Sequence, residues 1–230
     1  MNCAVIVAGG SGVRMGADVP KQYLPLLGVP ILARTLAAFA RCPDIHQVVL
    51  VAPEPDFDRI TGNILPLVET GVAVRMAPGG SRRQESVYHG LLAARDLEAE
   101  IVAIHDAVRP LVSPGDISRC IETAKTRGAC LLAAPATDTL KRADENLLVT
   151  QTLDRTNVWL AQTPQAFVLS LILKAHQTAL EQGITATDDA ALAEHAGHPV
   201  TIVPSTPKNL KITTPQDLVI AEALLRAEEA

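Results

Sequence analysis

Four glycines within eight positions, Gly9, Gly10, Gly12 and Gly16, follow the apolar run Cys3 to Val7. Nothing else in the chain limits its folding so strongly. A short run rich in Val and Ile that stops at glycine reads as a buried strand opening into a loop. Without a Cβ, such a loop can take φ > 0 and turn successive N–H groups inward, forming a nest for anionic oxygens. Arg14 and Lys21 bring two cations to it. The expected guest is phosphate.

Spacing excludes two phosphate motifs. A dinucleotide fingerprint, G-x-G-x-x-G, is begun by Gly10 and Gly12, but Met15 stands where its third glycine belongs. A P-loop needs G-x-x-x-x-G-K-[ST], whereas Ala17 and Asp18 follow Gly16. A glycine-rich turn with two solvated cations stands level with phosphate binding on the loop alone. The longer pattern, glycines then Arg14 then Pro20, Lys21 and Gln22, resembles the start of nucleotidyltransferases that activate sugar or polyol phosphates.

Beyond the loop, apolar strands are expected at His46 to Ala52, Val72 to Ala77, Ile101 to Ile104 and Ala129 to Pro135. Helical patterns alternate with them: Gly28 to Arg41, Ser81 to Leu97, and Ser113 to Arg127, with Ser113 as cap, Pro114 at the first position and Gly128 as stop. Asp56 to Glu69 holds Gly62 and Pro66, so a broken helix is expected there. This alternation predicts an α/β fold, a Rossmann-like three-layer sandwich with a mostly parallel sheet covered on both faces.

Ser81 and Gln84 stand in capping-box spacing behind Gly79 and Gly80, with Arg82 and Arg83 at the helix start. A plain cap and a ligand contact both remain open there. The fourth strand delivers His105, Asp106, Ala107, Val108 and Arg109 at its carboxyl end, where open α/β sheets gather ligands. Asp106 either caps a turn or pairs with Arg109, or it serves a hard cation. Mg²⁺ takes one or two carboxylates and completes its octahedron with phosphate oxygens and water, which suits a single Asp.

The alternation breaks at Ala136. Two β-rich arms, Asp138 to Arg142 and Leu148 to Leu153, flank a turn at Ala143 to Asn146, giving a protruding hairpin at about 136–157. Leu140, Leu147, Leu148 and Leu153 carry more apolar surface than a solvated excursion should, so packing against a second subunit is expected. Val158 to Phe167 reads as a short strand and turn, and Leu169 to Gln182 as a helix stopped by Gly183. Thr187 is the expected cap of a short helix through Glu194, Val200 to Val203 a last strand, and Gln216 to Ala227 a final helix. His195 and His198 flank Gly197 and read as loop histidines. No repeat or linker divides the chain, so one domain is expected over 1–230.

Three Phe, two Tyr and one Trp leave little for stacking bases, and a net charge of −5 argues against a nucleic-acid partner. The four cysteines lack C-x-x-C or zinc spacing and read as buried reduced thiols. With no basic leader before the first strand and no run near ~18 apolar residues, a cytoplasmic protein without a membrane partner is expected.

AGGSGVRMG with PKQYL, GGSRRQESV, HDAVRP, DTLKR, LDR, AQTPQAF, TDDA and NLKITTPQDL occur in this order over nearly the whole chain. Together they are similar to the 2-C-methyl-D-erythritol 4-phosphate cytidylyltransferase family, which couples CTP to methylerythritol phosphate with release of pyrophosphate. The resemblance implies that Ala8, Gly9, Gly10, Gly12, Gly80, Ser81, Ser86 and Ala107 line the CTP site, that Arg14, Lys21 and Lys211 stabilise the transition state, and that Asp106 holds Mg²⁺. It further implies that Arg109, Thr163, Thr187 and Lys211 face methylerythritol phosphate, joined by Thr139 and Arg155 from the hairpin of a homodimer partner. Two departures lie beside the nucleotide: Val7, Ala8, Gly9 and Gly10 where the family often has Pro-Ala-Ala-Gly, and Ser81 where it often has Asp. The rival readings are a ribitol-5-phosphate cytidylyltransferase, which shares the glycine loop, PKQ, HDAVRP and TPQ, and a catalytically silent nucleotide-binding subunit. DTLKR, Leu153-Asp154-Arg155 and Thr187-Asp188-Asp189-Ala190 favour methylerythritol phosphate.

Overall fold

Every residue of β1 (Asn2–Val7) is buried, and its side chains alternate between two apolar clusters. Cys3, Val5 and Val7 belong to one, Ala4 and Ile6 to the other. A strand apolar on both faces belongs inside a covered sheet, and β1 lies between β6 and β4.

The structure is a computed structural model that describes residues 1–9, 19–69 and 71–229, with side chains through 227. After β1 come the small antiparallel pair β2 (Pro25–Leu26) and β3 (Val29–Pro30), then α1 (Ile31–Ala40) and β4 (Gln47–Ala52). A helical turn, α2 (Phe57–Arg59), sits among 3-10 and π turns, which is the broken helix expected around Gly62 and Pro66. β5 (Ala73–Pro78), α3 (Arg83–Asp96), β6 (Ile101–Asp106), α4 (Pro114–Arg127) and β7 (Ala129–Pro135) continue the alternation. The chain ends with β8 (Leu140–Ala143), β9 (Val149–Leu153), β10 (Trp159–Val168), α5 (Leu169–Glu181), α6 (Asp189–His195), β11 (Thr201–Pro204) and α7 (Pro215–Glu229).

The main sheet runs in the order β11-β7-β10-β6-β1-β4-β5. Its neighbours are parallel except around β10, which is antiparallel to both β6 and β7. Here the sequence expectation needs correction: Val158 to Phe167 is no short strand and turn but part of a 10-residue strand. Its ladder with β7 shifts register between Ala161 and Gln165. Pro164 offers no N–H there, and proline inside a sheet is tolerated where the ladder is already broken.

Leu32, Leu36 and Phe39 of α1 and Ile117, Cys120 and Ile121 of α4 fill one face of the sheet. Val87 and Leu91 of α3, Ile172 of α5 and Leu192 of α6 fill the other, completing three layers. A Cβ on Gly90 would come within 2.4 Å of Val5 and 2.8 Å of Val51, so glycine lets α3 lie directly on β1 and β4. All four cysteines are buried and free.

At α4 the expected cap forms: Ser113 accepts from the Asp116 N–H at 3.0 Å, and Gly128 closes the helix at φ +87°. Two other caps differ. α3 begins at Arg83, one residue later than the Ser81–Gln84 spacing implied, so Glu85 turns back to accept from the Ser81 N–H and hydroxyl, each at 2.7 Å. Gln84 instead bonds the carbonyl of Ile184 and the N–H of Ala186. For α6 the cap is Asp188, which accepts from Ala191 at 3.0 Å; Thr187 lies one residue outside.

Candidate active site

β1, β5 and β6 all present their carboxyl ends to one cleft of about 430 Å³, a size suited to a small ligand. Its wall is made by Ala8 and Gly9 after β1, Gly79 to Arg83 between β5 and α3, and Asp106 to Val108 after β6. Lys21 and Gln22 enter from one side, Lys211 and Thr213 from the other. Two lysines almost a whole chain apart thus line the cleft that Asp106 floors.

Local bonds shape each wall. Gln22 is buried and donates to the Ala8 carbonyl at 2.8 Å, fixing the start of the glycine loop. Ser86, also buried, accepts from the Gly80 N–H at 2.9 Å and donates to the Arg82 carbonyl. Glycine is required at 80 for space: a Cβ would fall within 2.3 Å of the Glu85 side chain. Positive φ, the reason anticipated for the glycine loop, is not found at Gly9. Gly10, Gly12, Gly16 and Arg14 lie outside the described residues.

Asp106 is the electrostatic centre. Its Oδ2 meets Lys211 Nζ at 2.8 Å, and its Oδ1 accepts from Arg83 Nε at 3.1 Å. Arg109 Nε stands 3.6 Å from Oδ2, too far for a hydrogen bond, while its Nη1 donates to the Asn209 carbonyl at 2.7 Å. Burial alone would raise this carboxyl, but Arg83, then Lys211 and Arg109, outweigh it and hold Asp106 well below the usual carboxylate range. The turn reading is also satisfied in part, since the Arg109 N–H donates to the Asp106 carbonyl at 3.1 Å.

Beneath the floor, His105 is fully buried and hydrogen-bonded at both ring nitrogens, to the Arg109 carbonyl at 3.1 Å and the Thr163 hydroxyl at 3.0 Å. Burial pushes this imidazole down to about 3. Thr163 also accepts from the Asp106 N–H at 3.1 Å.

The predicted residues divide accordingly. Ala8, Gly9, Lys21, Gly80, Ser81, Ser86, Asp106, Ala107 and Lys211 line the cleft. Arg109 sits against its floor, and Thr163 is 4% exposed with its hydroxyl spent on the backbone of Asp106 and the ring of His105. Thr139, Arg155 and Thr187 are exposed and off the lining.

Sequence reasoning named Arg83 at the helix start and Asp189 in a motif but assigned neither a role, and missed that Arg83 bridges Asp106 to Asp189, which is 1% exposed. A signal existed: Asp189 stands in the apolar run before Ala190 to Ala193, and a carboxylate there needs a cationic partner.

For a divalent cation, Asp106 supplies ionised hard oxygens on the cleft floor. Among the described residues no group of three His, Cys, Asp or Glu could hold a metal. One carboxylate with ligand oxygens and water is a combination magnesium accepts, so the donor set fits.

A family-wide sequence model described as 2-C-methyl-D-erythritol 4-phosphate cytidylyltransferase (IspD) matches residues 2–227. The chain is similar to the enzyme of that name from Pelotomaculum thermopropionicum, 43% identical over 228 residues, covering 98% of this chain and 94% of the relative. A second such relative, from Desulforamulus reducens, is 46% identical over 223 residues, covering 97% and 95%. Among solved structures, a 4-diphosphocytidyl-2C-methyl-D-erythritol synthase from Anaerococcus prevotii superposes with a TM-score of 0.85 at 32% identity, covering 98% of this chain and 96% of that one.

Proposed function

The chain belongs to the 2-C-methyl-D-erythritol 4-phosphate cytidylyltransferase family, and we propose that the cleft around Asp106 performs that cytidylyl transfer with the residues assigned below. The reaction joins CTP to 2-C-methyl-D-erythritol 4-phosphate, giving 4-diphosphocytidyl-2-C-methyl-D-erythritol and pyrophosphate in the non-mevalonate isoprenoid pathway.

The observation that carries the assignment is the meeting of Lys21, Lys211 and Asp106 at one cleft. A phosphate monoester attacks the α-phosphorus of CTP through an oxygen that is already anionic, so no base has to remove a proton. His105, buried with both nitrogens engaged, is consistent with that economy. What the reaction needs is relief of repulsion between two anions, supplied by cations fixed around the phosphorus. Lys21 and Lys211 are compact charges suited to this, and Arg14 is assigned the triphosphate oxygens as a fork. One of the three Lys211 donors is directed at Asp106, and the others serve phosphate oxygens.

Asp106 is assigned as the Mg²⁺ ligand, and the metal's contribution is to neutralise phosphate charge. Ala8, Gly9, Gly10, Gly12, Gly80, Ser81, Ser86 and Ala107 hold the nucleotide. Arg109 and Lys211 take the acceptor phosphate, with Thr187 and Thr163 beside them, Thr163 acting through the backbone of Asp106. Thr139 and Arg155 act across a homodimer formed through the β8–β9 hairpin, a reading supported by the exposure of Leu147 and Leu148 at 85% and 66%. Residues 1–230 form one catalytic unit, placed in the cytoplasm because four buried free thiols suit a reducing compartment. No helix among the described residues is long and apolar enough to cross a membrane.

The test is pyrophosphate release with four nucleoside triphosphates crossed with methylerythritol phosphate and ribitol 5-phosphate. Turnover is expected with CTP and methylerythritol phosphate and to depend on magnesium. Preference for ribitol 5-phosphate would overturn the acceptor, and absence of turnover the enzyme itself.

A further inference from the structure

Behind the cleft, a chain of side chains runs away from Asp106 into the α3–α5–α6 layer. Arg83 Nε donates to Asp106 Oδ1 at 3.1 Å while its Nη1 donates to Asp189 Oδ2 at 2.8 Å. The other Asp189 oxygen accepts from His176 Nε2 at 3.1 Å. His176 is 2% exposed, lies parallel to the Tyr88 ring at 6.2 Å, and has no partner at Nδ1. Neither Asp189 nor His176 lines the cleft.

We propose that Asp189 and His176 are positioning residues that fix the Arg83 guanidinium, and through it the rotamer of the Asp106 carboxylate. This rests on the catalytic reading of Asp106 given above.

Three features support it. A guanidinium is a rigid planar fork, so bonds at Nε and Nη1 to two carboxylates on different elements define its plane as well as its position. Asp189 is itself immobilised: Gln165 Oε1, from β10, accepts from the N–H groups of Asp189 and Ala190 at 3.1 and 2.8 Å. Burial would raise the Asp189 carboxyl, but Arg83 outweighs it and keeps it below the usual range, so the anion persists where Arg83 needs it. Without that second anchor Arg83, whose side chain is 30% exposed, would be held only by the group it orients. Asp106 could then rotate toward Lys211 and Arg109, misplacing a charge whose position matters to a fraction of an ångström.

A purely structural role, tying α5 and α6 to α3, would lower stability and leave the turnover of folded enzyme alone. The experiment therefore compares kcat and KM with melting temperature. In Asp189→Asn, kcat is expected to fall about 10- to 100-fold, with KM for CTP within about threefold of wild type. In an Arg83→Ala background the same substitution should cost less than about twofold more, because its effect passes through Arg83. His176→Gln keeps an N–H donor toward Asp189 and should retain kcat within about threefold, whereas His176→Leu should not. The Arg83 Nε–H resonance should exchange slowly in wild type, where that proton is bonded to Asp106, and faster in Asp189→Asn.

Multiplicative losses in the Arg83→Ala cycle, or a folded Asp189→Asn enzyme with near-normal kcat, would overturn the proposal. Should Asp189→Asn not fold, the His176→Gln and His176→Leu pair decides by the same criterion. Wild-type turnover with CTP and methylerythritol phosphate tests the catalytic reading separately. If that turnover were absent, the Arg83 resonance would still report on the positioning chain.

Discussion

The floor of the cleft and the β8–β9 hairpin are opposite solutions to the placing of charged residues. Asp106 on the floor is 6% exposed and Asp189 behind it 1%, and each carboxylate is met by a cation from an element distant in sequence. On the hairpin, residues 141–152 are all exposed, and the bonds that shape the turn are local, with Asp144 Oδ1 accepting from Asn146 and Leu148 at 2.9 Å each. The floor is a charge arrangement completed within one chain. The hairpin has shape but nothing to act on unless another surface meets it. Residues assigned on the floor should therefore fail in cis, and those on the hairpin should be rescued in trans.

The largest effect is expected at the cations of the floor. Lys21→Ala and Lys211→Ala should each lower kcat on the order of 10²-fold or more, with a modest change in KM for Lys21→Ala and a raised KM for methylerythritol phosphate in Lys211→Ala, which also loses its contact to the acceptor phosphate. The melting temperature should also fall for Lys211→Ala, because the buried Asp106 loses one of the cations that keep it ionised, so kcat is compared on folded enzyme. Single-turnover kinetics would check this, and near-normal kcat in either variant would remove that lysine from the mechanism.

Mixing separates the two regions more sharply. In the proposed homodimer, Arg155→Ala and Lys211→Ala subunits, each inactive alone, should regain about a quarter of wild-type activity when mixed equally, since half the pairs would be mixed and one of their two sites intact. Activity that stays at the level of the parents would place Arg155 in cis or outside the reaction.

The acid limb of stability should belong to the floor. His105 is lowered from 6.5 to about 3, so the folded state resists a proton that the unfolded chain takes up. Below about pH 6.5 the unfolded state binds more protons, and stability falls progressively toward pH 3. Asp106 and Asp189, both held below the usual range, add stability that is full above about pH 4 and is lost as pH falls through their folded values. Melting curves from pH 7 to 3 should show both components. Replacing His105 by Gln should flatten the first, whereas hairpin substitutions should leave the limb unchanged.

How much of this was legible depended on whether the cause was local. β7 was delimited to the residue by its own apolar run, and α4 by Ser113, Pro114 and Gly128. The parallel sheet followed from alternation alone. β10 was misread as a short strand and turn because antiparallel insertion between β6 and β7 is a property of the assembled sheet. Asp106 and Lys211 were found through short motifs, but Arg83–Asp189–His176 joins three segments with no fixed spacing. The apolar run after Asp189 marks a carboxylate in need of a cation, but no spacing along the chain names Arg83 as that cation.

The smallest intramolecular effect is expected at the hairpin tip, where it discriminates best. Leu147, at φ +63°, and Leu148 contribute little to the folded protomer because most of their surface already faces water. Leu148→Ser should change protomer stability by about 0.5 kcal/mol or less, the range typical of surface sites. If the tip is covered by a second copy, the same change removes apolar area from that contact and should shift sedimentation toward the monomer at low concentration. Turnover would fall with dimer population and recover as protein concentration rises, a dependence that no floor substitution should show. A Leu148→Ser enzyme whose sedimentation matches wild type at every concentration would leave the hairpin without its assigned role, and Thr139 and Arg155 with it.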